Sequence, residues 1–241
     1  AIVLDTVWGN ALDTIPKAFM NLSEFPKGKD LEEIAGRKRR IELSTIGEKK
    51  ILVLRGSVCM NECTFNPYAV VFVRMQIELL LRLGVKNLIL TSDTNGTDVH
   101  CGYIVFIDSF VSDFNETMPL FPGEYSDPEK VLDSAWIDKI DESSYRPTDC
   151  LLGAYAFWRG PHREGATHDH KNMFDRNILT VGMNIKPECS IASRYPDVRV
   201  LALAYVESSM IDTPEQTDNN ERNKKDTIRL RQFLTDVIAN I

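Results

Sequence analysis

One stretch of the chain limits the possible folds more than any other. An apolar run at residues 51–54 is followed by a helical pattern over 68–83, a glycine at position 84 and a second apolar run at 87–91. Short apolar runs of this kind are typical of buried strands, whereas apolar residues at helical spacing indicate a helix, which here ends at the glycine. A strand, a helix and a second strand form a βαβ unit, so we expect the two strands to run parallel.

Similar patterns extend the prediction to the whole chain. Apolar runs at 103–108 and 198–205 predict two further strands, and residues 226–241 predict a final amphipathic helix. A length of 241 residues is sufficient for one sizeable core, and we find neither an internal repeat nor a linker that would separate domains. The predicted architecture is a single α/β domain over 1–241, with a mixed or mostly parallel central sheet flanked by helices. Because the chain opens directly on an apolar run, we also expect residues to be missing in front of Ala1.

The charge balance and the cysteines narrow the expected partners and location. With 28 basic and 35 acidic residues, the chain has a formal net charge of −7, which disfavours nucleic acid as a partner. No run approaches the roughly 18 to 20 apolar residues of a membrane helix, so no membrane partner is expected. The five cysteines are scattered and odd in number, which is typical of reduced thiols in the cytoplasm.

Ligand chemistry is expected at one edge of the predicted sheet. In α/β sheets, ligands bind beyond the carboxyl ends of the strands, so the segments that follow each apolar run are the candidates. Two long loops are predicted at 113–128 and 161–172. The candidate segments lie at 5–10, 56–62, 92–98, 159–165 and 207–209.

Several of these segments carry recognisable residue patterns in a fixed order. Ala35-Gly36-Arg37 is followed by Gly56-x3-Met60-x-Glu62. Further along come Gly160-Pro161-x-x-Glu164 and the most specific pattern, Val181-Gly182-Met183-x3-Pro187-Glu188. In this order the patterns resemble those of the trimeric purine nucleoside phosphorylases, which have the nucleoside phosphorylase-I fold. The resemblance extends over essentially the whole chain.

The resemblance implies an activity and an assembly. Members of that family cleave purine ribonucleosides with inorganic phosphate as co-substrate and without a further cofactor. They form homotrimers whose sites lie near subunit boundaries. By resemblance, the ligand of this chain is a purine base or nucleoside, and the loop at 113–128, through Phe121 or Tyr125, is the expected contact to a neighbouring subunit.

The family's phosphate site is strongly altered at the matching positions. Thr6 takes the position of a phosphate-binding serine, but Ser57 and Cys59 take the positions of a cationic arginine and a histidine. Asp5 and Asp93 add negative charge where the family has small residues. Because like charges at short distance repel a divalent anion, these residues together with the resemblance predict weak or lost phosphorolysis.

The base and sugar positions match the family only in part. Glu164 matches the family's base-binding glutamate, and Ser208 falls at the position of an asparagine that contacts the base, so the resemblance implies these two as catalytic residues. Such a base site is compatible with purine binding even where phosphate no longer binds. The other implied substrate contacts are Arg163 in place of a stacking aromatic, Met183 beneath the ribose, Asn184 in place of a phosphate-binding serine, Glu62 and Asn61 near the sugar, and Thr94 beside Asp93.

The sequence leaves several functions open. The chain is a purine nucleoside phosphorylase-like protein with weak or lost phosphorolysis, a non-catalytic binding, storage or scaffold protein on the same fold, or an enzyme similar to methylthioadenosine phosphorylases. No metal site is predicted, because His162, His168 and His170 are interpreted as solvated loop residues. Trp8 and Trp158 are interpreted as packing residues rather than as platforms on which a base stacks.

Overall fold

The computed structural model describes residues 1–12, 14–26, 39–60, 62, 69–111, 118–157, 173, 176–212 and 220–240. Within these residues it contains nine strands and five α-helices. The strands are β1 (Ile2–Leu4), β2 (Ala18–Asn21), β3 (Arg40–Ile46), β4 (Lys49–Arg55), β5 (Asn87–Gly96), β6 (Ile104–Val111), β7 (Cys150–Phe157), β8 (Ile178–Gly182) and β9 (Arg199–Ser209). The helices are α1 (Thr6–Ala11), α2 (Ala69–Arg82), α3 (Ser134–Asp141), α4 (Lys186–Ala192) and α5 (Asn220–Asn240).

The nine strands form one mixed sheet in the order β2-β3-β4-β1-β5-β8-β7-β6-β9. Strand β5 also pairs with β9, so that half of the sheet closes on itself as a barrel while the other half stays open. The pairs β1–β4, β1–β5, β5–β9, β6–β7 and β7–β8 are parallel. The pairs β2–β3, β3–β4, β5–β8 and β6–β9 are antiparallel. The predicted α/β class with a mixed sheet is therefore confirmed.

The two strands of the predicted βαβ unit run parallel as expected, but a third strand lies between them. Strands β4 and β5 both run parallel to β1, but β1 lies between them, with Val3 opposite Leu54 on one side and Leu90 on the other. The crossover through α2 therefore skips one position in the sheet. Local patterns do not show which strand fills such a position, because β1 comes from the distant start of the chain.

Helices cover both faces of the sheet. On one face, α2 and α4 contribute Ile77 and Ile191 to a large apolar cluster. On the other, α1, α3 and α5 contribute residues such as Trp8 and Phe233 to a second cluster. Trp8 is fully buried and meets the ring of Tyr205 edge-on, with centroids 6.5 Å apart, which confirms its interpretation as a packing residue. Among the described residues, no helix combines the length and the apolar character that crossing a membrane requires.

A buried ion cluster fixes the short helix α1 against the sheet. The carboxylate of Glu42 is fully buried and accepts hydrogen bonds from Arg40 at 2.5 Å and from Arg55 at 2.9 Å. Arg55 also donates to the carbonyl oxygens of Gly9 at 2.8 Å and Leu12 at 2.6 Å. Because the last carbonyls of a helix lack partners within it, this guanidinium satisfies the end of α1 and holds the helix in place.

One carboxyl group in the core has no compensating contact. Glu188, in the first turn of α4, is 1% exposed, and neither of its carboxyl oxygens has a hydrogen-bond partner among the described residues. Burial raises the pKa of this carboxyl to about 8, and the negative charge of Asp5 contributes in the same direction. At neutral pH, Glu188 is therefore mostly uncharged.

This buried carboxyl makes stability depend on pH. The pKa of Glu188 is higher in the folded chain than in the unfolded one. Its contribution to the free energy of unfolding is therefore fully present below about pH 4.5 and is lost as the pH rises towards about 8. We expect Glu188→Gln to remove this loss. Between pH 5 and 9 the free energy of unfolding of the variant should gain several kcal/mol relative to the original chain, since one pKa unit corresponds to about 1.4 kcal/mol. Urea titrations across this range measure the difference.

A matched control is Glu48→Gln, because Glu48 is exposed in the turn between β3 and β4. Its pH profile should follow that of the unchanged chain. Parallel profiles for Glu188→Gln and the unchanged chain would contradict the assignment.

Candidate functional site

The carboxyl ends of β1, β4 and β5 meet at a cleft of about 460 Å³. The segment between β8 and α4 and the end of β9 complete its walls. This is the edge of the sheet at which ligands of α/β proteins are expected. The residues that line the cleft are Asp5, Thr6, Arg39, Ser57, Cys59, Glu62, Asp93, Met183, Asn184 and Glu207.

The carboxylate of Asp5 is the centre of the hydrogen bonds at the floor of the cleft. Its Oδ1 accepts the amide of Thr6 at 2.8 Å. Its Oδ2 accepts the amide of Asp93 and the side-chain amide of Asn184, each at 3.0 Å. Three donors therefore point at one carboxylate and fix its position at the floor of the cleft.

Asp93 makes the reciprocal contact from β5. Its Oδ2 accepts the backbone amide of Val7, at the start of α1, at 2.8 Å. Its Oδ1 is enclosed by protein and has no hydrogen-bond partner among the described residues. Burial raises the pKa of this carboxyl well above its ordinary value, and the nearby negative charge of Asp5 raises it further. Each of the two aspartates thus accepts a backbone amide from the opposite side of the β1–β5 junction.

A second layer of polar groups lies beneath this pair. The hydroxyl of Ser92 donates to the side-chain oxygen of Asn184, which orients the amide nitrogen towards Asp5. The backbone amide of Asn184 donates to the hydroxyl of the fully buried Tyr155 at 3.3 Å. Burial raises the pKa of this phenol, so Tyr155 stays uncharged. The side chain of Asn184 is therefore held in one orientation, with its donor group towards Asp5.

Helix α2 holds the segment that follows β4. The amide side chain of Gln76 is fully buried, and it accepts from the amide of Val58 and donates to the carbonyl of Val58, both at 2.9 Å. Two hydrogen bonds to the backbone of one residue fix its position and direction. Ser57 and Cys59, the neighbours of Val58, are thereby presented to the cleft.

An ion pair forms the wall next to this segment. The guanidinium of Arg39 contacts both carboxylate oxygens of Glu62, at 3.1 Å and 2.5 Å. The same Glu62 carboxylate accepts the backbone amide of Cys59 at 3.1 Å, and Arg39 reaches the carbonyl of Ser57 at 3.5 Å. Paired contacts of this kind between a guanidinium and a carboxylate fix geometry as well as charge.

A β-bulge brings Glu207 to the cleft. Thr94 on β5 pairs with Val206 on β9, but the next residue, Asn95, pairs with Ser208. Glu207 is therefore the extra residue of β9 and has no opposite partner on β5. Bulges commonly redirect a side chain next to a functional site. Here the redirected side chain is a carboxylate.

The described lining is strongly acidic. It carries four carboxyl groups, those of Asp5, Glu62, Asp93 and Glu207, and one guanidinium, that of Arg39. Because burial raises the pKa of Asp93, the other three carboxyl groups contribute most of the negative charge. The donors that an incoming anion would use, namely the amides of residues 6, 7 and 59 and the guanidinium, are already bound to the protein's own carboxylates. An incoming anion would therefore have to displace one of these carboxylates to reach the donors.

Many of the residues predicted from the sequence meet at the cleft. Thr94 and Ser208 do not line it: the Thr94 hydroxyl donates to the carbonyl of Tyr205 at 3.0 Å, and the Ser208 hydroxyl bonds to the side chain of Asn95. Successive side chains of a strand point to opposite faces, which is why Thr94 turns away where Asp93 faces the cleft. The predicted residues that line it are Thr6, Ser57, Cys59, Glu62, Asp93, Met183 and Asn184.

Other predictions fall elsewhere or were missed. Arg163, Glu164 and Asn61 lie outside the described residues, as do Trp158 and the three histidines of the loop. Arg39 was not predicted as a site residue. Its partner Glu62 lies 23 positions away, and no local sequence pattern indicates that the two side chains pair. Glu207 lies in a segment predicted to follow a strand, but only the bulge shows that its side chain faces the cleft.

Comparisons with known structures identify the architecture. Purine nucleoside phosphorylase isoform 2 of Schistosoma mansoni, in complex with cytosine and ribose 1-phosphate, superposes with a TM-score of 0.76 at 19% identity, covering 100% of this chain and 89% of that one. The purine nucleoside phosphorylase of the same organism in complex with adenosine gives a TM-score of 0.73 at 17% identity, covering 100% and 90%. A Schistosoma purine nucleoside phosphorylase in complex with guanosine gives 0.69 at 16% identity, covering 99% and 87%.

Sequence comparisons define the family. No curated protein is significantly similar to this chain in sequence. The sequence model of the phosphorylase superfamily matches residues 8–240, nearly the entire chain. Together with the superposed folds, this match confirms the resemblance found in the sequence. The chain is a member of the phosphorylase superfamily.

Proposed function

We propose that this chain binds a purine base or nucleoside in the described cleft and that its phosphorolysis is weak or lost. The observation that carries the proposal is the Asp5–Asp93 pair, whose carboxylates occupy the backbone amides at the start of α1 and in β5. A turnover roughly a thousandfold or more below the usual range of about 1 to 10³ per second is expected.

Electrostatics supports the loss of phosphate binding. An ionised carboxylate at about 4 Å from a phosphate oxygen costs on the order of 4 kcal/mol per charge pair at an effective dielectric constant of about 20. To bind at the floor of the cleft, phosphate would also have to displace Asp5 or Asp93 from their amide donors. Arg39 does not offset this repulsion, because its positive charge is already neutralised by Glu62.

Purine recognition makes different demands. A neutral base needs shape complementarity and a few well-placed polar groups rather than net positive charge. Met183 and Glu62, both implied by the resemblance as substrate contacts, line the cleft. By resemblance, Glu164 contacts the base. Two of the superposed Schistosoma proteins, whose complexes contain adenosine and guanosine, support the same ligand class for this chain.

A second candidate is a working phosphorylase of the purine nucleoside or methylthioadenosine type. The guanidinium of Arg39 favours it, because it brings a cation to the cleft. A third candidate, a scaffold or storage protein without a ligand, is left if no purine binds.

The described cysteines form no disulfide, which supports the cytoplasmic location predicted from the sequence.

We further propose a homotrimer, with the loop around Tyr125 at the contact. Phe121 and Tyr125 are 62% and 90% exposed, respectively. The loop itself is anchored: Arg74 pairs with Glu124 at 2.6 Å, and its guanidinium lies 3.9 Å from the centroid of the Phe121 ring. A fixed loop that presents large aromatic side chains is typical of a protein–protein contact.

The first test of this proposal separates base binding from phosphate binding. Calorimetric titration should detect hypoxanthine, guanine or inosine but not phosphate. Glu164→Ala should weaken purine binding by roughly 1 to 3 kcal/mol, because it leaves a ring N–H without its acceptor. Glu48→Ala, which removes an exposed carboxylate from a turn, is the control and should bind purine normally.

Two other results would contradict the proposed function. Phosphate binding at micromolar concentration, or several turnovers per second on inosine, guanosine or methylthioadenosine at millimolar phosphate, would favour the working enzyme. Absence of purine binding would leave the scaffold function.

The second test concerns assembly. Sedimentation at micromolar concentration should show a trimer, and Tyr125→Asp should dissociate it, because a charge at a buried contact lacks a partner. Ile228→Asp is the control: it changes another exposed apolar residue, on α5, and should leave the trimer intact. A stable monomer of the unchanged chain would refute the proposal.

A further inference from the structure

The pair formed by Arg39 and Glu62 has the donor set of an anion-binding site. Two guanidinium nitrogens of Arg39 and the backbone amide of Cys59 converge on the two oxygens of one carboxylate, at 2.5 to 3.1 Å. A planar guanidinium combined with a backbone amide matches the geometry of a carboxylate or a phosphate. In this chain the anion held there is part of the protein itself.

The burial of the two side chains shows which of them faces the cleft. Arg39 is 1% exposed, whereas Glu62 is 16% exposed, and both line the cleft. The cation therefore lies deeper than its partner. Removing the Glu62 carboxylate would open the position in front of the guanidinium from the cleft side, without moving Arg39.

The guanidinium depends on an anion at this position. Among the described residues, its buried Nε has no hydrogen-bond partner, and the only acceptor other than Glu62 is the carbonyl of Ser57 at 3.5 Å. A buried charge that loses its partner is strongly destabilising, far more than a surface ion pair would suggest. A free anion that replaced the lost carboxylate would therefore be bound and would restore stability.

We propose that Arg39 and the Cys59 amide form a masked oxyanion subsite, of which Glu62 is the resident anion. Its ligand class is a small carboxylate or a phosphate group. Glu62 determines specificity here, because it keeps free anions from this wall of the cleft. The inference concerns the same cleft and rests on the proposed function only in that the unchanged chain does not bind phosphate.

Chemical rescue of Glu62→Ala tests the subsite. The variant should melt at a lower temperature than the unchanged chain, and formate or acetate should raise its melting temperature in a concentration-dependent way. Calorimetry should show formate and phosphate binding at least tenfold tighter than to the unchanged chain. Arg39→Ala combined with Glu62→Ala is the control and should show neither effect, because the cation is gone.

Each remaining outcome decides the matter. Equal anion affinity in the unchanged chain and in Glu62→Ala, or an equal gain in the double variant, would overturn the subsite. If Glu62→Ala does not fold, Glu62→Ser also vacates the position in front of the guanidinium and is titrated in the same way. If neither folds alone, refolding yield with and without formate gives the answer, and a yield that does not depend on formate overturns the proposal. Purine titration of the unchanged chain tests the proposed function separately.

Discussion

Strand β5 and its register with β1 decide most of what the cleft contains. Leu90 pairs with Val3, so the residues that follow on the two strands emerge side by side at the same edge of the sheet. An aspartate lies at this edge after β1 and another lies on β5. The carboxylate of Asp5 accepts the backbone amide of Asp93, and the carboxylate of Asp93 accepts the backbone amide of Val7. The pairing of apolar residues in the core thus fixes a pair of acidic groups at the site.

At the floor and at the side wall of the cleft, carboxylates of the protein bind the available hydrogen-bond donors. At the floor, Asp5 and Asp93 are bound to backbone amides, and at the side wall Glu62 is bound to Arg39 and to the Cys59 amide. In each case a side chain of the protein occupies donors that suit an external anion. Members of the same superfamily fold can therefore differ in the charge they accept, because function depends on the site rather than on the fold.

The sequence predicted much of this arrangement and missed identifiable parts of it. The helix predicted over 68–83 is present over 69–82, and four of the five predicted post-strand segments contribute to the cleft, as periodicity and the rule for α/β sheets indicate. The insertion of β1 between β4 and β5 depends on long-range pairing, which local patterns do not encode. The bulge at Glu207 and the partnership of Arg39 with Glu62 likewise arise only when distant segments pack together.

The central claim is that the carboxylates of this chain take the place of a bound anion. Calorimetric titration of phosphate into Asp93→Ala, at pH 8 and low ionic strength, tests it most directly, because alanine removes the carboxylate and releases the amide of Val7. The account predicts phosphate affinity at least tenfold higher than that of the unchanged chain. A folded Asp93→Ala variant whose phosphate affinity equals that of the unchanged chain would contradict it.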